Sequence, residues 1–231
     1  MTQPNDDMQD RLLDAILDHV PFDGWSETAF RAAITDIGVD QKLARAVCPR
    51  GAVGLAIAFH QRGDAIMSER MANDPLPQRY SEKVASGVRF RIEAAQDKEV
   101  VRRGATLFAL PIYAADGAKL IWGTADAIWN ALGDTSDDFN WYSKRATLSG
   151  VYSSTVLFWL GDTSEGHQAT WDFLDRRIAD VMQFEKTKAQ LRENKLFSAV
   201  MAGPNAVLSR IKAPSASAGA GLPGRWTPTG S

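Results

Sequence analysis

The side chains that most often carry out chemistry are few in this chain and widely spaced. His19, His60 and His167 lie far apart, and none belongs to a metal-ligand motif with Cys, Asp or Glu. Cys48 precedes Pro49 and has no nearby histidine that could activate it as a nucleophile. We therefore expect packing or surface roles for these residues, and we predict no catalytic residue, metal site or cofactor.

Asp134, Asp137 and Asp138 form an acidic group that could supply paired catalytic carboxylates or a cation site. Asp137 or Asp138 directly precedes a helical run. A carboxylate in that position accepts hydrogen bonds from free backbone N–H groups and suits the positive end of the helix dipole. Helix capping is therefore the favoured interpretation of this group.

The middle of the sequence alternates aromatic and small residues, as in Trp122-Gly-Thr-Ala-Asp-Ala-Ile128-Trp129. Large and small side chains together can line an apolar cavity between helices, suited to a chain-like or ring-shaped ligand. An ordinary hydrophobic core is the alternative. The candidate ligand-binding residues are Phe108, Leu110, Trp122, Ile128, Trp129, Tyr152 and Val156.

Trp141 is placed in the first turn of a predicted helix, with Lys144 and Arg145 one turn further along. A tryptophan with charged helical neighbours is expected to be partly exposed, and an exposed aromatic residue beside arginine is a common contact for protein partners. The alternative is a tryptophan that lies flat over the helix junction.

Basic and apolar residues alternate between residues 186 and 212. This pattern fits an amphipathic helix on an anionic membrane surface, with a solvated, fraying terminal helix as the alternative. The candidate membrane-contacting residues are Lys188, Arg192, Lys195, Leu196, Phe197 and Val200.

Glycine and proline divide the chain into segments of helical length, and strand-like alternation is nearly absent, so the pattern predicts an all-α fold. The last nineteen residues, rich in Ser, Ala, Gly and Pro, are expected to be disordered. The predicted helices span residues 7–20, 25–37, 40–47, 51–73, 79–96, 98–110, 117–132, 139–160, 167–186 and 187–201.

The first helices have the outline of a helix-turn-helix, with a turn at Gly38-Val39 and a short helix that carries Lys42 and Arg45. Residues 1–75 contain seven Lys or Arg against twelve Asp or Glu. A nucleic-acid binder needs a basic surface, so we expect a packing role here and no nucleic-acid partner.

Several features bear on location. A single cysteine suggests a reducing compartment, and residues 1–10 resemble neither a signal peptide nor a transit peptide. The longest nearly uncharged stretch, residues 146–161, is too short to span a bilayer. We therefore expect a cytoplasmic protein.

The stretch from Gly133 to Arg145 carries a family resemblance. It contains Gly133-Asp134, Ser136, the run from Asp138 to Tyr142 and Lys144-Arg145, and it follows Asp126 and Trp129. These residues resemble the auxiliary lipid-binding proteins of ubiquinone biosynthesis. Weaker matches extend the resemblance over about residues 10–185.

The resemblance implies a TetR-regulator-like helical bundle that is not an enzyme. Such a protein would bind an isoprenoid or quinone lipid, form a homodimer through its late helices, and associate peripherally with the inner membrane. It would present the quinone precursor to a ring hydroxylase. The implied partner-binding residues are Asp138, Asn140, Trp141, Tyr142, Lys144 and Arg145.

A ligand-responsive TetR-type transcription regulator is the alternative function. Such regulators usually have an aromatic pair at the end of the recognition helix, where this chain has Ala46-Val47-Cys48. The expected organisation is a helix-turn-helix-like part in residues 1–75, a lipid-binding and dimerising body in 76–186, a basic amphipathic helix in 187–212 and a disordered tail in 213–231.

Overall fold

A computed structural model describes the chain from residue 4 to residue 193, and its side chains from residue 7 to residue 183. The described part is helical and contains no strand, so the predicted all-α class is confirmed. None of its helices is both long and apolar enough to cross a membrane. The helices are α1 (Pro4–Leu17), α2 (Val20–Asp23), α3 (Glu27–Asp36), α4 (Gln41–Val47), α5 (Ala52–Asn73), α6 (Tyr80–Glu93), α7 (Lys98–Ala109), α8 (Ala114–Ala131), α9 (Phe139–Gly161) and α10 (Gln168–Glu193).

Local sequence signals account for several helix ends. The side chains of Ser26, Asp40 and Asp97 accept hydrogen bonds from the first backbone N–H groups of α3, α4 and α7. Gly38 has a φ of +65°, a conformation that glycine adopts without strain, and it ends the α3 segment. These signals are short-range, which is why the predicted boundaries lie within a few residues of the observed ones.

Two boundaries differ from the prediction. The first predicted helix, 7–20, is divided, because α1 ends at Leu17 and Pro21 lies within the separate turn α2. The predicted break at residue 187 is wrong, since α10 continues to Glu193. The backbones of Lys188 and Arg192 lie on α10, whereas Lys195, Leu196, Phe197, Val200 and the predicted tail 213–231 lie outside the described residues.

The chain forms two compact units, and the first comprises Met1–Ile66 and Glu93–Leu120. Helices α3 and α4 form the predicted helix-turn-helix outline in this unit. Phe30, Leu12 and Leu55 are among its fully buried core residues. Arg45, on the second helix of the outline, is paired with Glu27 and stacks over the Phe30 ring at 4.7 Å.

The second unit comprises Met67–Ile92 and Ile121–Ser231. Within it, α6 approaches α8 closely at Gly87, where an added Cβ would lie 2.9 Å from Ile128 Cγ2. Helices α9 and α10 also pack against each other. Each compact unit is built from two separate stretches of chain. The predicted organisation divides the chain into contiguous functional parts at residues 75, 186 and 212, and that division stays a prediction.

Candidate partner-binding site at the junction of α8 and α9

The start of α9 is fixed by a capping carboxylate. Asp138 Oδ1 accepts a hydrogen bond from the Asn140 backbone N–H at 2.8 Å, and its Oδ2 accepts one from the Asn140 side-chain amide at 2.9 Å. Upstream, Gly133 has a φ of +72° and lies two residues after the end of α8. The predicted capping role is therefore confirmed for Asp138.

A buried arginine joins the two helices at this junction. Arg145, which is almost fully inaccessible, donates from Nε to Asp126 Oδ1 at 2.5 Å and from Nη1 to Asp134 Oδ2 at 3.1 Å. It also donates to the Asn130 side-chain oxygen at 3.3 Å and to the Trp141 carbonyl at 3.2 Å. The guanidinium is therefore paired with two carboxylates and hydrogen-bonded on all of its nitrogens.

Asp134 serves this network and does not cap a helix. Lys144 Nζ donates to Asp134 Oδ1 at 2.7 Å and to Ser136 Oγ at 2.8 Å, while Ser136 Oγ donates to the same carboxylate oxygen. Burial alone would raise the pKa of Asp134, but the hydrogen bonds from Lys144, Ser136 and Arg145 outweigh it and hold the pKa at about 2. Capping was therefore the wrong interpretation for Asp134, because the sequence does not reveal this long-range pairing.

Trp141 is buried, with only 8% of its surface exposed, so the expectation of partial exposure was wrong. The Arg145 guanidinium lies 4.0 Å from the centroid of its ring. Trp122 contacts the ring at 6.0 Å, and Tyr142 meets it edge-on at 4.8 Å. The charged neighbour that suggested exposure is itself turned inward, and it covers the tryptophan.

A second aromatic pair lies beside Lys144. The rings of Tyr80 and Trp129 are 6.1 Å apart, and Lys144 Nζ lies 5.4 Å from the Trp129 centroid. The Trp129 Nε1 atom is buried and has no hydrogen-bond partner among the side chains that the structure describes. Sequence reasoning missed Tyr80, because it begins α6 and lies far from the junction along the chain.

The six predicted partner-binding residues lie together in two layers. Trp141 and Arg145 are buried, Tyr142 and Lys144 are partly buried, and Asp138 and Asn140 are exposed. The exposed layer therefore rests on a charged and aromatic base that fixes its geometry. Whether a partner binds there stays a prediction.

The seven predicted ligand-binding residues are divided between the compact units. Trp122, Ile128 and Trp129 on α8 belong to the second unit, as do Tyr152 and Val156 on α9. Ile128 and Tyr152 are buried, and the other three are partly buried. The remaining two residues belong to the first unit, where Phe108 is partly buried and Leu110 is exposed.

The three histidines each lie beside another side chain, and Cys48 lies in a hydrophobic core. His19 Nε2 lies 2.6 Å from Asp36 Oδ2, His60 lies one helical turn from Asp64, and His167 packs edge-on against Trp159. Cys48 is buried in the first unit, where burial raises its pKa to about 11. These contacts agree with the packing and surface roles expected of all four residues.

Comparison with known proteins supports the resemblance. Residues 114–185 match the model of the COQ9 family. The chain is 28% identical over 201 residues to the ubiquinone biosynthesis protein COQ9, mitochondrial, of Rattus norvegicus, covering 82% of this chain and 64% of that protein. It is 29% identical over 195 residues to the probable ubiquinone biosynthesis protein coq9, mitochondrial, of Dictyostelium discoideum, covering 79% and 62% of the two chains. The chain thus spans slightly less than two thirds of the length of these relatives.

Among solved structures, the chain is similar to a TetR transcriptional regulator from Nitrosomonas europaea. The TM-score is 0.62 and the sequence identity 19%, and the match covers 75% of this chain and 97% of the regulator. At this level of identity the likeness concerns the fold alone. The predicted TetR-like fold and the resemblance carried by the Gly133–Arg145 stretch, which lies within the matched residues, are therefore confirmed.

Proposed function

From this relationship to the COQ9 proteins, we propose that the chain is a non-enzymatic, lipid-binding accessory protein of ubiquinone biosynthesis. It holds an isoprenoid or quinone lipid and presents the polyprenyl quinone precursor to a ring hydroxylase. The observation that carries the proposal is that the family match spans residues 114–185, which include the whole α8–α9 junction.

The geometry of the junction supports a docking role. Asp138 and Asn140 are exposed, Tyr142 is partly exposed, and all three lie on the first turn of a helix held by the Arg145 network. A rigid aromatic and polar surface loses little conformational entropy when a protein binds to it. We place the hydroxylase at this surface, with Trp141 supporting it from below.

The indole of Trp129 supports a lipid with a polar ring. Its Nε1 is a buried donor with no partner among the described side chains, and such a donor is stabilised by an acceptor. A carbonyl oxygen of a quinone ring is an acceptor of the required kind. We expect the isoprenoid tail to pack against the apolar residues predicted for this role in the same unit, Trp122, Ile128, Tyr152 and Val156.

Mass spectrometry of lipids extracted from the purified, full-length protein tests lipid binding. The expected result is a quinone or isoprenoid lipid in reproducible stoichiometry. Protein that is repeatedly free of such lipids, and that does not take up ubiquinone in detergent, would contradict this part of the proposal.

A deletion strain tests the role in the pathway. Loss of the protein should lower ubiquinone and cause an under-hydroxylated precursor to accumulate. Tyr142→Ala should fail to restore ubiquinone, and it should also lower the thermal midpoint, because it removes ring contacts with Trp122 and Trp141. The matched control is Tyr142→Phe, which keeps these ring contacts. Full rescue by both Trp141→Ala and Tyr142→Ala would reject the docking surface.

We also propose that the protein works as a homodimer through α9 and α10. Leu157 is 65% exposed, and Phe158, stacked on Phe173 at 4.6 Å, and Met182 are also exposed. Residues 146–161 contain no charged residue. The exposed face of α9 is therefore apolar and uncharged, and Arg177 of α10 borders it, 5.3 Å from the Phe173 centroid. An apolar face with a charged border is typical of a protein interface, and a second copy would cover it with a matching face.

Membrane association completes the proposal. The COQ9 relatives are named as mitochondrial proteins, and the lipid to be presented resides in a membrane. We therefore place this chain at the inner-membrane surface as a peripheral protein, with the basic segment 187–212 as one contact.

A ligand-responsive transcription regulator is the second candidate, because the fold resembles a TetR regulator and α3 and α4 form a helix-turn-helix outline. Arg45, however, is paired with Glu27 and stacked on Phe30, so one of the two cations on α4 is neutralised. A gel-shift with genomic fragments at low salt would reveal specific binding. A specific shift would favour the regulator over the lipid carrier.

A further inference from the structure

The turn between α7 and α8 in the first unit, called the tip below, is uncharged and carries exposed aliphatic side chains. Residues 104–115 contain no charged residue. At the centre of this run, Leu110 is 46% exposed and Ile112 is 75% exposed. Large aliphatic side chains with this exposure gain much less free energy from burial than core side chains do. Their exposure on a turn therefore suggests that another surface covers them.

The tip is held in shape by backbone contacts. Tyr113 N–H donates to the Leu110 carbonyl at 2.9 Å, and Gly117 N–H donates to the Tyr113 carbonyl at 3.0 Å. An added Cβ at Gly117 would lie 2.8 Å from Phe108 Cβ, so the start of α8 packs tightly against the end of α7. The exposed side chains are therefore presented by an ordered turn, which reduces the entropy lost on binding.

The charged residues bordering the tip are mainly basic. Arg102 and Arg103 share Glu99 on one side, at 3.1 and 3.0 Å. On the other side, Arg50 is paired with Asp116 at 2.6 Å, and Lys119 is exposed on the next turn. Exposed Asp23 also lies beside Arg103, because the Arg103 guanidinium donates to the Pro21 carbonyl. Four cations against three acids leave this border with a small excess of positive charge, which is complementary to anionic lipid headgroups.

We infer that this turn is a membrane contact, in which Leu110 and Ile112 insert into the surface of an anionic bilayer while the bordering cations meet its headgroups. The inference rests on the proposed function, because a carrier of a membrane lipid has to approach the bilayer. It adds a second contact, independent of residues 187–212.

Size favours a lipid over a protein as the occupant. Two aliphatic side chains on one turn offer far less area than the roughly 1,200 Å² buried in a stable protein interface. Insertion into a fluid lipid phase needs no matching surface, and its strength grows with the apolar area inserted and with nearby cations.

A fluorescent label on the full-length protein tests the contact directly. Cys48 is the only cysteine, and its burial and its pKa of about 11 protect it from labelling near neutral pH. An Ile112→Cys variant can therefore carry a single environment-sensitive dye. The matched control is Leu43→Cys, because Leu43 is an aliphatic residue whose exposure, 47%, is similar to that of Leu110, and it lies on α4 of the same unit.

The dye at position 112 should shift to shorter wavelength and brighten when vesicles of phosphatidylcholine and phosphatidylglycerol are added. The dye at position 43 should change little, and vesicles of phosphatidylcholine alone should give a smaller effect at position 112. An unchanged spectrum at position 112, or an equal change at both positions, would overturn the inference.

Vesicle co-sedimentation measures how much the tip contributes to the affinity of the protein for membranes. The double variant Leu110→Ser/Ile112→Ser should bind the anionic vesicles about tenfold more weakly, because two partly inserted aliphatic side chains are removed. Leu43→Ser should bind like the parent protein, because Leu43 lies on α4. Equal binding by all three proteins would contradict the inference.

The lipid content of the same preparations separates this inference from the proposed function. If quinone lipid copurifies but position 112 does not enter the bilayer, the membrane contact is rejected and the carrier function stands. If position 112 inserts but no lipid is ever bound, the carrier function is rejected and the membrane contact stands.

Discussion

At the scale of single residues, Arg145 is the strongest determinant of the junction. A buried guanidinium loses its hydration, and its two carboxylate partners lose theirs. The geometry compensates for this loss because every guanidinium nitrogen donates to an acceptor. A well-paired buried cluster adds little net stability by itself, but removal of one member leaves the others uncompensated.

Replacement of Arg145 by leucine should therefore lower the free energy of unfolding by about 3 to 5 kcal/mol, because Asp126 and Asp134 would remain buried without their common cation. Urea unfolding followed by circular dichroism measures the change. The matched control is Arg79→Leu, which removes an exposed pair with Glu82 and should cost no more than about 1 kcal/mol. Equal costs for the two variants would contradict the role assigned to Arg145.

Because of Asp134, the free energy of unfolding should depend on pH. Its folded pKa of about 2 lies below its ordinary value of 3.8, so its contribution is complete above that ordinary value and is lost as the pH falls toward 2. The contribution is about 2 kcal/mol. In urea unfolding at a series of pH values, the stability gap between the parent protein and Asp134→Asn should close over this window. A gap that stays constant from pH 5 to pH 2 would show that Asp134 is not the titrating group.

Sequence reasoning at this scale succeeded where the interaction is local. Asp138 is identifiable as a cap because the N–H group that donates to its carboxylate belongs to Asn140, only two residues further along the chain. Arg145 and Asp134 were missed as partners because they are 11 residues apart and on opposite sides of a helix junction. The sequence does contain a usable signal for this network. Asp126, Asn130 and Asp134 recur every fourth residue at and just beyond the end of one helix, and the adjacent cations Lys144 and Arg145 lie near the start of the next.

At the scale of elements, the Asp138 cap sets where α9 begins. Asp138→Ala should cost about 1 kcal/mol, because it leaves the Asn140 N–H without its acceptor. Asp138→Ser should cost only a few tenths of a kcal/mol, since serine is also a good cap. Thermal unfolding measures both changes, and Asp137→Ala at the exposed neighbouring position is the control. A similar loss for Asp137→Ala would assign the effect to charge and not to capping.

The close approach of α6 to α8 should make Gly87 intolerant of any side chain. A methyl group at this position would lie 2.9 Å from Ile128 Cγ2 and 3.0 Å from Met71 Sδ, and overpacking of this kind costs about 1 to 3 kcal/mol. The control is Gly54→Ala on α5, where an added Cβ makes only ordinary contact and alanine favours the helix. Differential scanning calorimetry should show Gly87→Ala melting below Gly54→Ala, and the reverse order would contradict the packing argument.

Helix positions were predictable because glycine, proline and capping residues act within a few residues. The continuity of α10 across the last two predicted helices was not predictable in this way. The sequence changes there from an amphipathic to a more basic pattern, but it contains no helix breaker. The change in composition was interpreted as a change of element. The backbone of α10 continues through it to Glu193.

At the scale of the whole molecule, the all-α class followed from the absence of strand patterns, whereas the TetR-like arrangement came from family resemblance. No local pattern predicts that each compact unit takes two stretches of chain. Such units depend on contacts between distant segments, which periodicity and turn signals do not encode. The same limit applies to the cavity residues, of which Phe108 and Leu110 belong to one unit and the other five to the second.

Oligomeric state is the property of the whole molecule that the exposed face of α9 and α10 predicts. Sedimentation equilibrium should find the parent protein as a dimer. Leu157→Asp should weaken the dimer by at least about tenfold, because it places a charge on a face that contains no charged residue from 146 to 161 and removes an exposed aliphatic side chain. In a symmetric dimer the same face of each copy lies at the interface, so one substitution changes the interface at two places.

The control for this experiment is Leu43→Asp, since Leu43 is also an exposed leucine but lies on α4 in the first unit. It should leave the dimer intact. A protein that is monomeric at all concentrations would reject the homodimer, and a dimer weakened by Leu43→Asp but not by Leu157→Asp would move the interface to the first unit. The second outcome would not affect the docking surface proposed at the α8–α9 junction, because the Trp141→Ala and Tyr142→Ala variants test that surface separately.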